Sequence, residues 1–83
     1  MTDSSKRKIE QDLKAFTTRN FTAPTECRNL EQIRFYIHEL CGKIHDLERR
    51  FDYVPGWAYQ LLSQYKSKLN ALVLREFRNT YHR

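Results

Sequence analysis

The central part of the chain carries an apolar stripe that repeats without interruption. Counted from Leu30, apolar residues recur at alternating steps of three and four as far as Phe51. Such steps place side chains on one face of an α-helix, and their strict alternation is typical of a coiled-coil seam. The pattern predicts a long amphipathic helix that buries one face against another helix. The stripe consists of Leu30, Ile33, Ile37, Leu40, Ile44, Leu47 and Phe51.

Two prolines bound this helix. Pro24 suits the first turn of a helix, where its missing N–H costs nothing, so the helix is expected to begin near residue 25. Pro55 disfavours the α conformation at Val54, so the helix is expected to end near residue 52. Because so short a linker joins antiparallel neighbours, we predict a long antiparallel helical hairpin from helices over about residues 25–52 and 55–80.

Apolar residues after Pro55 supply a face for the hairpin partner. The stripe of this helix is expected to drift towards Val73, Phe77 and Tyr81, since a helix of 3.6 residues per turn departs from a strict heptad repeat. Trp57 is expected to close the end of the core at the hairpin turn, with Tyr59 pointing outward. The residues expected to face the partner helix are Trp57, Ala58, Leu61, Leu62, Tyr65, Leu69 and Leu72.

A shorter N-terminal helix over about residues 5–19 is predicted from Ile9, Leu13 and Phe16, which recur at helical spacing. The predicted fold class is therefore all-α, with one domain over residues 1–83 and frayed ends at residues 1–4 and 81–83. Three helices carry more apolar surface than a two-helix hairpin can bury. This predicts either a three-helix bundle or a dimeric four-helix-type assembly.

Charge is distributed unevenly along the chain. The net charge is +5, and residues 52–83 carry five basic side chains against only Asp52 and Glu76. Lys68, Arg75 and Arg78 follow steps of seven and three, so they form a basic stripe on one helical face, which His82 would extend. Such a stripe could follow a phosphate backbone, aided by a basic N-terminal arm at Lys6, Arg7 and Lys8, or it could bind an acidic protein or anionic lipid, or simply be a solvated face.

The two cysteines, Cys27 and Cys41, bear on the compartment. If both lie on one helix, about 21 Å separates them, far beyond the roughly 7 Å between Cα atoms that a disulfide permits. This favours a reducing, intracellular compartment, cytoplasmic or nuclear. The N-terminus lacks the apolar region of a signal peptide. The longest aliphatic run, residues 71–74, is too short to span a membrane, so no transmembrane segment is expected.

One cluster could in principle bind a metal. His38, Cys41 and His45 are spaced i, i+3 and i+7, so they share a helical face, and imidazole and thiolate are good zinc or copper ligands. However, residues seven apart on one helix are separated by about 10 Å, too far for a single ion to join both histidines. We expect a cysteine beside the core between two solvated histidines, and no metal or other cofactor.

No constellation typical of an enzyme is present. The chain has only two glycines, so no glycine-rich phosphate loop exists, and Ser63 and Ser67 lack a recognisable His–Asp arrangement. The sequence therefore predicts a non-enzymatic helical interaction module, an adaptor, inhibitor or regulatory subunit that binds a protein partner and itself, with no small-molecule substrate. The alternative is a small nucleic-acid-binding regulator using the basic residues. The residues expected to contact a protein partner are Ile33, Tyr36, Ile37, Leu40, Ile44, Trp57 and Phe77.

Overall fold

The computed structural model describes residues 3–81, and the side chains of residues 4–78 within that range. Three helices follow one another: α1 (Asp3–Asn20), α2 (Leu30–Phe51) and α3 (Gly56–Tyr81). A short 3₁₀ turn, Pro24–Glu26, interrupts the connection between α1 and α2. The described chain is 87% helical and has no strand, which confirms the predicted all-α fold with a three-helix arrangement.

The long helix α2 begins five residues later than predicted. Pro24 does open a helical turn, but that turn is 3₁₀ and ends at Glu26. Asn29 then starts α2, because its side-chain oxygen accepts hydrogen bonds from the backbone N–H groups of Glu31 and Gln32. Such a cap satisfies N–H groups that the first helical turn leaves without a partner. The segment between the two prolines is therefore two elements rather than one helix.

The hairpin turn follows the prediction closely. Asp52 ends α2 in the left-handed conformation, at φ 51°, and its N–H donates to the carbonyl oxygen of Glu48. Aspartate tolerates this conformation better than most residues. Buried Pro55 then leads directly into α3 at Gly56.

The core lies between α2 and α3, with α1 against one side of it. Ile33 and Leu40 are completely buried on α2, as Ala58 is on α3. Leu13 of α1 joins the same cluster, and α1 runs antiparallel to α2: Phe16 lies beside Lys43, whereas Glu10 accepts a 2.6 Å hydrogen bond from the hydroxyl of Tyr53. The hairpin expected from the sequence thus has a third helix beside it, and the heptad face of α2 is buried within the chain at Ile33, Leu40 and Ile44.

A ring cluster ties the connector after α1 to the core. Tyr36 and Tyr65 face each other across the hairpin with ring centroids 5.6 Å apart, and Phe21 packs against both. The Tyr65 hydroxyl donates to the carbonyl oxygen of Thr22 at 2.6 Å. The Tyr36 hydroxyl donates to the Thr22 hydroxyl at 3.2 Å. These bonds hold the connector against both long helices.

The ends of the chain differ from the prediction in detail. Asp3 and Ser4, expected to be frayed, belong to the first turn of α1, and Tyr81 belongs to α3. The predictions for Met1, Thr2, His82 and Arg83 lie outside the described residues. Within those residues, no helix is both long and apolar enough to cross a membrane.

Candidate functional site at the projecting end of the third helix

Within the described residues, the register of the hairpin extends α3 beyond the start of α2. Because Tyr36 faces Tyr65 in an antiparallel pair, the start of α2 at Leu30, six residues earlier, is level with about residue 71 of α3. Among the described side chains of α3, Leu72 is the last that packs against the core. Every residue from Val73 to Arg78 is exposed. We call this segment, residues 73–78, the projecting end.

The projecting end presents three large apolar side chains to solvent. Val73 is 41% exposed, Leu74 57% and Phe77 58%. Phe77 is three residues from Leu74 and four from Val73, so the three side chains share one face of the helix. We call them the apolar face. A single exposed apolar side chain is ordinary, whereas a contiguous group on one element marks a candidate contact surface.

Basic side chains occupy a different face of the projecting end. Arg75 and Arg78 are exposed on neighbouring turns, and half-buried Lys68 continues their line towards the bundle. At about 100° per residue, this basic stripe is centred about 140° around the helix axis from the apolar face. Lys68 lies near Cys27 and favours its thiolate, but burial has the larger effect and raises the pKa of the Cys27 thiol. The basic stripe therefore runs along the side of α3 that faces the 3₁₀ turn.

A shallow groove continues this surface back along α3. It encloses about 650 Å³ between the 3₁₀ turn and α3. Ser63, Ser67 and Ala71, spaced four residues apart, keep its floor low because their side chains are small, and Lys68 lines one wall. The groove offers hydroxyl and ammonium donors, which suit acidic groups. Its remaining lining residues are Pro24, Thr25 and Gln64.

The side chains expected to bind a partner are mostly covered within the chain. Ile33, Tyr36, Leu40 and Ile44 are buried, and Ile37 and Trp57 are half-buried against the core. Trp57 thus closes the core at the turn, while Tyr59 is exposed and donates a hydrogen bond to Glu48, as expected. Of the predicted contact residues, Phe77 alone is exposed.

The two basic groups expected to act together are placed at opposite ends of the molecule. Lys6, Arg7 and Lys8 are not a loose arm, because residues 3–20 are helical, and the Lys6 ammonium lies 5.3 Å from the ring centre of Tyr53 near the hairpin turn. Arg75 and Arg78 lie at the other end of a molecule 58 Å long. A nucleic acid that contacted both groups would need to extend along most of that length.

The candidate metal ligands are spread along the surface of α2. His38 and His45 are exposed and Cys41 is half-buried. Among the described residues, no group of three or more His, Cys, Asp or Glu side chains is placed to hold a metal ion. Cys27 and Cys41 are both free. The separation of about 21 Å assumed that both cysteines lie on one helix, but Cys27 lies in the connector before α2.

A second groove, of about 700 Å³, lies between α1 and α2. Its floor is formed by apolar residues such as Leu13, Phe16 and Leu47, and its rim carries both charges, with Lys43 over the Phe16 ring and Asp46 paired to Arg50 at 3.3 Å. Because both signs of charge line the groove and Asp46 is already paired to Arg50, the groove has no single charge preference.

The apolar face was only partly visible in the sequence. Val73 and Phe77 were predicted to continue the drifting stripe of α3, and Phe77 to contact a partner, but Leu74 was not singled out. The start of α2 was placed too early, and a helix beginning near residue 25 would have reached further along α3. The cap signal at Asn29, with Gln32 three residues later, resembles a capping box and could have located the true start.

No known protein family, curated protein sequence or solved structure matches the chain.

Proposed function

We propose that the protein is a non-enzymatic helical module that binds a protein partner through the projecting end of α3. The observation that carries the proposal is the exposure of Val73, Leu74 and Phe77 together on one face of a single helix, whereas most other apolar side chains lie in or against the core. Apolar and aromatic side chains on a rigid element are typical anchors of protein interfaces. As an adaptor, inhibitor or regulatory subunit, the module would act by occupying a surface of its partner.

The rest of the fold supports this role as a scaffold. The connector is tied to α2 and α3 through Tyr36 and Tyr65, and the hairpin is closed by Asp52 and Pro55. The projecting end is therefore a continuation of a packed helix, and it meets a partner with little loss of backbone freedom. Such preorganisation lowers the entropic cost of binding.

Nucleic acid is the alternative partner, and the geometry gives it less support. The exposed Arg75 and Arg78 could contact phosphates. Yet Lys6, Arg7 and Lys8 are held at the far end of the molecule, and among the described residues only Arg75 and Arg78 are cations of the projecting end. Because phosphate binding depends on the number of cations that engage and weakens steeply with salt, it is readily separated from an apolar contact.

The proposal is tested by comparing which proteins the full chain retains before and after the apolar face is removed. Leu74→Ser/Phe77→Ser is expected to lose partners that the unchanged chain retains at 300 mM salt. Phe35→Ser is a matched control, because Phe35 is 56% exposed on α2, outside the proposed surface. If the Leu74→Ser/Phe77→Ser variant retains the same proteins as the control, the projecting end is not the binding surface and the proposal fails.

A further inference from the structure

The projecting end joins two chemistries on one helix, and this combination restricts what can bind there. A partner that lies along the line through Leu74 and Arg78, four residues apart, would have the apolar face on one side and Arg75 on the other. Residues 66–78 carry four basic side chains against Glu76. A partner that is apolar throughout, or that carries basic residues at its edge, would leave these arginines desolvated or facing like charge, which opposes binding.

From this charge pattern we infer that the occupant is an amphipathic helix of a partner protein whose apolar face is flanked by Asp and Glu. This inference rests on the proposed function and specifies the partner's chemistry. Apolar side chains would pack on Val73, Leu74 and Phe77, and the carboxylates would pair with Arg75 and Arg78. Arginine can bind a carboxylate through two parallel hydrogen bonds, which fixes orientation as well as adding affinity.

The shape of the surface accommodates a helix. Ser63, Ser67, Ala71, Leu74 and Arg78 follow steps of four, four, three and four, so they form one line along α3, and all five are exposed. The first three line the groove beside the 3₁₀ turn. From Ser63 to Arg78 this line extends over about 23 Å, roughly four turns of a helix laid beside it. Small side chains at the groove end permit close approach, and the apolar and basic residues lie at the other end.

Charge also disfavours a second copy of the chain as the occupant. Each copy carries a net charge of +5, and the exposed Arg75 and Arg78 would add to the repulsion between two projecting ends. An anionic bilayer would satisfy the arginines. However, three apolar side chains on two turns offer little area for insertion, and the line through Ser63 and Ser67 is polar, whereas interfacial helices bury an apolar face along their length.

The test uses the full 83-residue chain and synthetic helical peptides of 18 residues. One peptide places Leu on one face and Glu beside it, and its matched control replaces every Glu with Gln. Binding is measured by fluorescence anisotropy, and the contact surface is mapped from backbone amide NMR shifts. We expect the Glu peptide to bind at least tenfold more tightly than the Gln peptide, with shifts concentrated over residues 63–78.

Two variants separate the contributions of the surface. Arg75→Gln/Arg78→Gln is expected to weaken binding of the Glu peptide at least tenfold and to leave binding of the Gln peptide unchanged. Arg7→Gln/Arg49→Gln removes the same number of charges from exposed positions near the hairpin turn, and is expected to change neither. Leu74→Ser/Phe77→Ser is expected to abolish binding of both peptides.

The possible failures are distinguishable. If both peptides bind equally and Leu74→Ser/Phe77→Ser abolishes both, the projecting end binds helices and the proposed function stands, but the acidic partner is overturned. If neither peptide binds, the inference also fails. Binding of phosphatidylserine vesicles or of a DNA duplex that depends on Arg75 and Arg78 would replace it with a lipid or nucleic-acid surface. A dimer lost in Leu74→Ser/Phe77→Ser would replace it with a second copy.

Discussion

Thr22, in the connector that follows α1, accepts three hydrogen bonds, two of them from the long helices. Its carbonyl oxygen accepts from Tyr65 and from the Cys27 thiol at 3.6 Å, and its hydroxyl accepts from Tyr36, which in turn accepts from Gln32 at 2.9 Å. Tyr65 is among the largest fully buried side chains. No buried side-chain nitrogen or oxygen among the described residues is left without a hydrogen-bond partner. Buried polar groups are costly when unpaired. Loss of the Tyr65 proton would break its hydrogen bond to Thr22, so the stability of the fold should depend on pH.

Raising the pH above 10 is expected to destabilise the protein through Tyr65. Burial, with a smaller effect of Cys27 and Tyr36, raises the pKa of Tyr65 to about 12. An unfolded tyrosine loses its proton near pH 10. The folded state therefore holds the Tyr65 proton more tightly. The stability this provides is complete below pH 10 and is lost as the pH rises through about 12. Urea unfolding at successive pH values measures this loss.

The control for this prediction is Tyr65→Phe, which keeps Tyr53 and Tyr59. Hydrogen bonds to Glu10 and Glu48 raise the pKa values of those two tyrosines, so both contribute to the loss in either protein. The free energy of unfolding should fall less steeply above pH 10 in Tyr65→Phe than in the unchanged chain. Parallel pH profiles for the two proteins would contradict the assigned role of Tyr65.

The two thiols are expected to react at very different rates. Cys27 is 0% exposed, and burial raises its pKa, so it is both inaccessible and short of thiolate. Cys41 is half-buried on α2. With a disulfide reagent at pH 8, Cys41 should react first and Cys27 at least about 100-fold more slowly, because Cys27 requires opening of the connector. Cys41→Ser should remove the fast phase alone. Two fast phases in the unchanged chain would mean that the connector is open.

At the scale of the elements, the heptad pattern identified α2 but not all of its buried face. Tyr36 is buried, although it lies outside the stripe, whereas Phe51 within the stripe is 40% exposed. A heptad seam describes one contact between two helices, but α2 packs against α1 on one side and α3 on the other, so it buries a wider face. The sequence could not reveal this, because the position of α1 depends on a connector whose contacts with Tyr36 and Tyr65 are long-range.

Replacing Gly42 tests whether the outer face of α2 is open. Gly42 is exposed within α2, and an added Cβ would meet nothing within 4 Å. Gly42→Ala should therefore stabilise the protein by about 0.5–1 kcal/mol, the usual difference between these residues inside a helix. Gly56→Ala, equally open but at the first residue of α3, should gain less. Thermal unfolding measures both. A loss of stability in Gly42→Ala would mean that a second chain approaches this face closely.

At the scale of the whole molecule, the fold is divided between a packed bundle and an extension that does not contribute to the core. A chain of 83 residues has a small stability margin. Six exposed residues at the end of α3, with three apolar side chains among them, add conformational cost and bury little in the isolated chain. The bundle should therefore fold independently of the apolar face, and the same substitution should cost much stability in the bundle and almost none in the apolar face.

Leu40→Ala and Leu74→Ala remove the same side-chain atoms from the core and from the apolar face, so they compare how much each part contributes to stability. Leu40 is 0% exposed between α2 and α3, so its truncation should destabilise the protein by about 2–5 kcal/mol. Leu74 is 57% exposed, so its truncation should change the free energy of unfolding by less than about 0.5 kcal/mol. Urea unfolding at low micromolar concentration measures both. Equal losses would mean that Leu74 is already covered in the free protein, and a surface already covered cannot be where a partner binds.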